Sequence, residues 1–549
     1  MQADQLERGR AALARGDWAD AAAGFEAVVA AAGDANAAEA LEGLGWAGWW
    51  TSDAALTIDA RERAFRAYRA RGEDCAAARV AAWLAADYRE FRCEAAVGQG
   101  WLRRAHRLLE DAPEQADHGW VRLLDADFAL NVDGDPLRAE RLSLSAAELG
   151  RRLGVADLEA IGLAQGGIAL VLQGRVADGM RRLDEASVIA ASEDLLLPVS
   201  TIWSLCCLIS ACDGVGDFPR AAQWCETMRT FNDRWGARQV VGVCRSAYGR
   251  VLATRGDWPA ADVELTAAVG DLQASRPGMA GGGLVRLAEL RIRQGRAEEA
   301  RALLEEAGPA GLVGLGQLAL DGGDARAAAD AAERVLRGVP ADAALERLPA
   351  YELLARARAS LGEADAAGAA CAAIETAVAS IDTPYLRGRA RLVAGELAGA
   401  RGDHEEARRA CEDAVDCFAK GSAPYEAARA RSALAAALDA VGQRELAAAE
   451  RAAARETFAL LGAQRDLERL DAGDAAGTAG GESAASGELS PRELEVLRLV
   501  AQGLSDAEIA ERLVVSQHTV HRHVANVRTK LRLPSRAAAV AHAAREGLL

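Results

Sequence analysis

The 549-residue sequence predicts an all-α protein: a superhelix of helical repeats, a linker and a small domain of four short helices. Three observations support this prediction. Hydrophobic residues make up 51% of the chain and alanine is abundant, whereas aromatic residues make up only 5% and β-branched residues are sparse. A glycine-based signal recurs along most of the chain. The C-terminal segment, residues 488–549, carries several separate helix-start signals.

The recurring signal is a glycine, often followed by aspartate, with a small residue five positions after the glycine. It begins at Gly16, Gly72, Gly100, Gly134, Gly174, Gly216, Gly256, Gly295, Gly323, Gly362, Gly402 and Gly442. From Gly134 onward the steps are 40, 42, 40, 39, 28, 39, 40 and 40 residues, a period typical of stacked helical units. The glycine can close one helix in the left-handed conformation, and the aspartate can cap the next helix.

This pattern resembles the tetratricopeptide repeat, in which G-D-x-x-x-A marks the turn between two packed helices. The resemblance covers residues 1–470 and implies a superhelical body that binds a ligand or a partner protein. The single step of 28 residues predicts a shortened or missing helix and a bend within residues 277–323.

Three local features of the body leave alternatives open. All eleven tryptophans lie at or before Trp258, where they either fill gaps between the early repeats or line a binding pocket. The uncharged stretch 195–212 approaches the length of a membrane span, but its internal Pro198 favours a buried helix and no membrane contact. The ten scattered cysteines form no C-x-x-C pair, so we expect reduced thiols. A redox or metal role is the alternative for Cys206, Cys207, Cys212 and Cys225.

The charge is distributed unevenly between the body and the C-terminal segment. Residues 488–549 contain nine Arg or Lys and seven Asp or Glu, while the rest of the chain has a net charge of −19. Between the two parts, residues 471–487 are rich in Gly, Ala and Ser and predict a flexible linker. An acidic body does not bind a polyanion, so any DNA contact must fall to the C-terminal segment. We expect this acidic body to restrain the segment until a signal arrives.

The C-terminal segment contains the outline of a helix-turn-helix. Helix starts are predicted at Ser490, Ser505, Ser516 and Ser535. The second and third helices are separated by only a short break near residues 514–515, as in a helix-turn-helix whose second helix enters the major groove. On that helix one apolar stripe is expected to pack on the two helices before it; it comprises Val520, Val524, Val527 and Leu531.

These residues resemble the DNA-binding domain of the LuxR family of bacterial transcription regulators. The pattern T-V-x-x-H-V-x-N-(V/I)-x-x-K-L is met by residues 519–531, and E-V-L-x-L-V-A-x-G-x-S-(N/D)-x-E-I-A by residues 495–510. The resemblance implies base contacts by His521, Arg522 and Ala525. Arg522 also has suitable chemistry, since a guanidinium can pair with both O6 and N7 of guanine. The residues expected to contact phosphate are Gln517, His518, Thr519, Arg528, Lys530 and Arg536.

No catalytic, cofactor-binding or metal-binding set is predicted, and we expect the protein not to be an enzyme. The only lysines are Lys420 and Lys530, and neither lies in a P-loop. The sequence therefore predicts a cytoplasmic transcription regulator, nucleoid-associated when bound to double-stranded DNA. The slight positive excess of the C-terminal segment favours a homodimer on DNA. Further expected partners are an unknown effector or protein on the repeats, and RNA polymerase. The alternative is a repeat scaffold with an accessory C-terminal domain.

Overall fold

The computed structural model describes residues 2–192, 195–236, 242–341, 343–379, 381, 383–477, 489, 491–513, 517–531, 533, 538, 540, 541 and 545. Within these ranges the regular structure is helical and no strand is present, so the predicted all-α class is confirmed. Single turns of tighter or wider helix occur at Asp34–Asn36, Ala129–Asp133, Pro277–Met279 and Gly308–Gly311.

The repeat body comprises helices α1 to α25. The first twelve are α1 (Gln2–Arg15), α2 (Trp18–Ala32), α3 (Ala38–Thr51), α4 (Ala54–Ala70), α5 (Asp74–Arg92), α6 (Ala95–Leu109), α7 (Ala116–Phe128), α8 (Pro136–Leu153), α9 (Ala156–Leu172), α10 (Val176–Ala190), α11 (Pro198–Val215) and α12 (Phe218–Trp235). They are followed by α13 (Gly242–Arg255), α14 (Trp258–Ser275), α15 (Gly281–Arg293), α16 (Ala297–Glu306), α17 (Leu312–Asp321), α18 (Ala325–Gly338), α19 (Ala344–Ser360), α20 (Ala364–Ala379), α21 (Pro384–Ala400), α22 (His404–Lys420), α23 (Pro424–Ala440), α24 (Arg444–Leu461) and α25 (Gln464–Gly477).

The turns between paired helices have the predicted chemistry. Gly216, Gly256 and Gly402 adopt φ values of 76°, 92° and 81°, the left-handed region that glycine enters without a steric cost. The aspartate after each of them accepts a hydrogen bond from a backbone N–H in the first turn of the next helix, as Asp403 does from Glu406 at 3.1 Å. The repeat units are therefore helical hairpins, stacked as tetratricopeptide-like repeats.

One predicted turn is wrong. Gly100 lies inside α6 and does not have a positive φ. The chain turns earlier, at Cys93, whose φ of 58° is unusual for a residue with a side chain. In the same helix Gly98 serves close packing, because a Cβ there would lie 2.7 Å from the carbonyl oxygen of Ala85, whereas a Cβ at Gly100 would meet no atom within 4 Å.

The irregular step near residue 300 corresponds to shortened helices. α16 and α17 contain ten residues each, and the turn Gly308–Gly311 joins them. The expectation of a shortened helix is thus confirmed, while the bend within residues 277–323 stays a prediction.

The body is a superhelix that repeats every ten helices. α9 contacts α19, α13 contacts α23, and α15 contacts α25. At the start of α21, Thr383 Oγ1 donates a 2.6 Å hydrogen bond to the carbonyl oxygen of Val215 at the end of α11. The indole rings of Trp18 and Trp235 lie 6.0 Å apart and join α2 to α12. Successive turns of the superhelix are therefore in direct contact.

Arg276 anchors the second turn to the first. Its side chain, 1% exposed, donates to Glu90 Oε2 and to the carbonyl oxygen of Trp49, both at 2.7 Å. The guanidinium carbon also lies 4.2 Å from the centre of the Trp49 ring. Gly278 allows this approach, because a Cβ there would lie 2.0 Å from the carbonyl oxygen of Arg89.

The tryptophans of the early repeats pack on one another. Trp46 stands edge-on to Trp83 with ring centres 4.7 Å apart, and Arg61 lies 4.6 Å above the Trp46 ring. Arg61 is also paired with the buried carboxylate of Asp87 at 2.6 Å. These contacts favour the interpretation that the aromatic residues fill the space between repeats.

The structure bears on three further expectations, which concern the apolar helix α11, the cysteines and the linker. α11 is long and apolar enough to cross a membrane by length and composition, but 67% of it is buried inside the fold, as expected for a core helix.

The expectation of ten reduced thiols is wrong for Cys206 and Cys244, which are joined by a disulfide bond between α11 and α13. The predicted linker begins too early, because α25 continues to Gly477. Residues 478–487 of that linker lie outside the described residues.

Candidate nucleic-acid interface

Three short helices form the described part of the C-terminal domain. They are α26 (Pro491–Ala501), α27 (Asp506–Leu513) and α28 (Gln517–Lys530). At most three residues, 514–516, separate α27 from α28, which is the spacing of a helix-turn-helix. Most of the fourth predicted helix, like the predicted caps Ser490, Ser516 and Ser535, lies outside the described residues.

The apolar stripe of α28 faces the interior of the domain as predicted. Val520 and Val527 are 0% and 2% exposed, while Val524 and Leu531 are partly buried against the same core. The partners on α26 and α27 are Val496, Leu497, Leu499, Val500, Ile509 and Ala510. Burial of this stripe fixes the rotation of α28 about its own axis and so determines which residues face outward.

α27 begins at a reciprocal capping arrangement. Glu508 Oε2 accepts hydrogen bonds from the backbone N–H and the hydroxyl of Ser505, both at 2.7 Å, and Ser505 Oγ accepts from the N–H of Glu508 at 3.3 Å. These bonds hold the pKa of Glu508 below its usual value. Gly503, with φ of 86°, reverses the chain just before the cap. The turn preceding α27 is thus specified by local sequence.

The outward face of α28 includes two of the three predicted base-reading residues. The side chain of His521 is 78% exposed, and its Nδ1 lies 3.5 Å from Asp506 Oδ2 at the start of α27. Ala525, one turn later, is exposed, as is Gln517 at the start of the helix. The backbone of Arg522 is part of α28, whereas its side chain lies outside the description, as do the side chains of His518 and Lys530 and all of Arg536.

Two predicted phosphate contacts are less accessible than expected. Thr519 is 3% exposed, although it stands in the first turn of α28. Arg528 is half-buried beside Val527. His523 is 6% exposed and belongs to the interior, so the three nearby histidines do not share one face. No cluster of three or more metal-ligating residues occurs anywhere in the described ranges.

Two polar contacts of this domain were not predicted from the sequence. Asp506 lies close to His521 and so places a carboxylate beside the candidate reading face. Arg492 Nη2 donates to the carbonyl oxygen of Leu513 at 3.1 Å, which ties α26 to the end of α27. The position of Asp506 in the first turn of α27 was visible in the sequence, but its proximity to α28 depends on how the helices cross.

The comparisons with known proteins concern the same region. Residues 487–543 match the family described as bacterial regulatory proteins, luxR family. Over 61 residues the chain is 52% identical to Rv0890c, an HTH-type transcriptional regulator of Mycobacterium tuberculosis, and 48% identical to the oxygen regulatory protein NreC of Staphylococcus aureus. The matched part covers 11% of this chain in both cases, 7% of the first relative and 28% of the second. The chain thus spans only a small part of the relatives that it matches.

Solved structures resemble the body only loosely. A Rap protein in complex with competence and sporulation factor aligns over 76% of this chain and 99% of its own, with 12% identity and a TM-score of 0.38. The Cut9–Hcn1 hetero-tetramer of the APC/C aligns over 85% of this chain and 96% of its own, with 12% identity and a TM-score of 0.35. Together, the hairpin geometry and the match over residues 487–543 identify the chain as a body of tetratricopeptide-like helical repeats that carries a LuxR-type helix-turn-helix domain.

Proposed function

We propose that this protein is a sequence-specific DNA-binding transcription regulator. The observation that carries the proposal is the fixed rotation of α28: its valine stripe is buried, and His521 and Ala525 point outward within a LuxR-type domain. A helix held in this way fits the major groove, where base edges can be distinguished. Arg522 follows His521 directly, and we assign it the main base contact.

The assignment of phosphate contacts is adjusted to the burial of the side chains. Gln517 is exposed at the start of α28, where a polar side chain can reach the DNA backbone. For His518, Lys530 and Arg536 we keep the proposed contact with DNA phosphate, which is based on their positions in the sequence. Arg528 is half-buried and Thr519 is 3% exposed, so both side chains would have to become more exposed to contact phosphate.

We propose that the repeat body receives the signal that controls DNA binding. A partly open pocket of about 300 Å³ lies between α12, α13 and α14 and is lined by Cys225, Met228, Arg229, Asn232, Asp233, Cys244, Arg245, Tyr248 and Glu264. A small effector can be accommodated there, while a partner protein would use the outer surface of the superhelix.

Two copies of the protein on one DNA site would double the small positive charge of the C-terminal segment. Cytoplasmic location and contact with RNA polymerase complete this proposal.

DNA duplexes selected from a random pool by the full-length protein test the assignment. Arg522→Ala should weaken binding of the selected duplex by about 1–3 kcal/mol and relax the preference at one base pair. Arg181→Ala is the matched control, because it removes the same charge from a 73% exposed position on α10. Dissociation constants measured by fluorescence anisotropy at several salt concentrations give both the affinity and its electrostatic part.

Two outcomes contradict different parts of the proposal. Equal affinities for Arg522→Ala and Arg181→Ala would remove Arg522 from base recognition. Failure of the parent protein to bind any duplex, even at low salt, would reject DNA binding and favour the scaffold alternative.

A further inference from the structure

A disulfide bond joins the two helices on either side of α12. It links Cys206 on α11 to Cys244 on α13, with the two Cα atoms 5.8 Å apart and 38 residues between them in sequence number. α11 and α13 also contact each other directly, and α12 contacts both. The bond therefore ties neighbouring repeat units together in addition to their packing.

The disulfide borders the partly open pocket between α12, α13 and α14. Cys244 is one of the described residues that line this pocket, whereas Cys206 is not. In thiol–disulfide exchange a thiolate attacks one of the two sulfurs, so access decides which bonds react. Because Cys244 is only 3% exposed, the molecule that reaches it from this side must be small enough to enter the pocket.

The polar residues of the pocket suit a ligand that carries both a carboxylate and N–H groups. The Arg229 side chain is 60% exposed and pairs at 2.8 Å with Glu226 on its own helix, so its guanidinium can also accept a ligand carboxylate. Asn232 Oδ1 is buried without a hydrogen-bond partner among the described residues, and it can accept from an N–H donor. Thiols of the amino-acid or peptide type carry both kinds of group.

The free cysteines nearby are poorly suited to exchange. Burial raises the pKa of the Cys207 and Cys225 thiols to about 12 and also raises the pKa of Cys212. Because the thiolate is the reactive form, these three thiols stay protonated at neutral pH. The linked pair is therefore the reactive sulfur site in this part of the body.

We propose that Cys206–Cys244 is a reversible redox site whose exchange partner is a small thiol of the amino-acid or peptide type, bound in the adjoining pocket. The thiolate of this molecule attacks Cys244 Sγ and forms a mixed disulfide, while Cys206 leaves as a thiolate and takes up a proton. A second molecule then attacks the sulfur of the bound thiol, which frees Cys244 as a thiol and yields a small disulfide. Two small thiols are oxidised to one disulfide, and the cysteine pair gains two electrons and two protons.

This inference rests on the proposed function and names the signal that the body receives. In the cytoplasm, the compartment proposed above, disulfides are usually transient and either catalytic or redox-sensing. Breaking this bond removes a constraint on the segment between Cys206 and Cys244, which includes all of α12. α13 also contacts α23 in the next turn of the superhelix, so a shift of α13 changes contacts beyond the pocket.

The first test is the reaction of the full-length protein with glutathione. The protein is equilibrated at graded ratios of reduced to oxidised glutathione, quenched with acid, alkylated after denaturation and mapped by mass spectrometry. Cys206 and Cys244 should become alkylated together as the ratio rises, while the free Cys225 is alkylated throughout. In Cys206→Ser a glutathione adduct should accumulate on Cys244, since no second sulfur displaces it.

Either of two results would overturn the redox site. One is a pair that keeps the same oxidation state at every glutathione ratio while the protein stays folded. The other is the absence of a glutathione adduct on Cys244 in Cys206→Ser.

The role of the pocket is tested by the rate at which oxidised glutathione modifies Cys244 in the Cys206→Ser background. Arg229→Ala should slow this reaction about fivefold, because the ligand carboxylate loses a charged partner. Arg181→Ala, at a 73% exposed position on α10, should not change the rate. Bis(2-hydroxyethyl) disulfide, which has no carboxylate, should react equally with both variants. Equal rates of the two variants with oxidised glutathione would reject the ligand class.

The last test connects the redox site to DNA binding. Oxidised and reduced parent protein should differ at least about fivefold in affinity for the selected duplex, the lower end of the usual coupling between two sites. Cys206→Ser/Cys244→Ser should bind with the same affinity in the oxidising and reducing buffers. Equal affinities of the two parent forms, or the same response in the double variant, would overturn the regulatory role. Absence of DNA binding by both proteins in both buffers would instead overturn the proposed function, whatever the alkylation result.

Discussion

Arg61 and Asp87 show how charge is accommodated inside the early repeats. Arg61 Nη1 donates to both carboxylate oxygens of Asp87, at 2.7 and 2.6 Å, and both side chains are at most 2% exposed. The Trp46 and Trp83 rings lie 4.6 and 5.4 Å from the Arg61 guanidinium carbon. Such a pair is stable only when both partners are present, because desolvating one unpaired charge costs several kcal/mol.

Asp87→Ala should therefore lower the free energy of unfolding by about 3–5 kcal/mol, since it leaves the Arg61 guanidinium buried without its counterion. Urea unfolding followed by tryptophan fluorescence measures the effect, as all eleven tryptophans lie at or before Trp258. The double variant Arg61→Met/Asp87→Leu removes both charges and should recover much of the lost stability. A double variant as unstable as Asp87→Ala would show that packing, and not the unpaired charge, dominates.

At the scale of single elements, the start of α27 is the best-specified feature of the C-terminal domain. Ser505→Ala removes the hydroxyl from the capping arrangement and should destabilise α27 by about 1 kcal/mol. The carboxylate of Glu508 has a lowered pKa in the folded protein, so its contribution is present at neutral pH and is lost as the pH falls through that lowered pKa.

Hydrogen exchange of amides 506–513 at neutral pH checks this prediction. Exchange should be roughly fivefold faster in Ser505→Ala, the factor that corresponds to about 1 kcal/mol. Ser505→Thr keeps a hydroxyl at the cap and is the control, with exchange close to that of the parent. Exchange that is equal in Ser505→Ala and Ser505→Thr would mean that the cap contributes little to α27.

Elements governed by local chemistry could be predicted from the sequence, and elements governed by distant contacts could not. Helices end at Gly216, Gly256 and Gly402 as predicted, because this kind of turn requires only a positive φ angle at one residue. Gly100 carries the same signal inside α6, and the turn at Cys93 has no distinctive sequence feature. For the C-terminal domain, the valine stripe was predictable from helical spacing. The partial burial of Arg528 and the contact between α28 and α22 were not predictable from helical spacing, because they depend on which helices cross.

At the scale of the whole molecule, Gly278 controls the distance between the first two turns of the superhelix. Gly278→Ala would force its Cβ against the Arg89 carbonyl oxygen, a backbone atom that cannot rotate away. We expect a loss of about 1–3 kcal/mol in unfolding free energy, as for overpacked interiors, and a larger radius of gyration.

Gly281→Ala provides the control three residues along, because a Cβ at Gly281 meets no atom within 4 Å. This variant should leave stability unchanged or slightly improved. Thermal unfolding and small-angle X-ray scattering of both variants test the prediction. Identical behaviour of the two variants would show that the turns separate easily and that the Arg276 anchor contributes little.

The ten-helix period gives remote parts of the sequence a short route to each other. The cavity beside Tyr248 opens on α13, α13 contacts α23, α23 packs on α22, and α22 contacts α28. Three helix contacts would therefore separate a molecule bound in that pocket from α28, the helix proposed to contact DNA, although some 270 residues of chain lie between Tyr248 and His521. Contacts between successive turns of the superhelix therefore give a conformational change at the pocket a shorter path to α28 than the sequence of helices along the chain does.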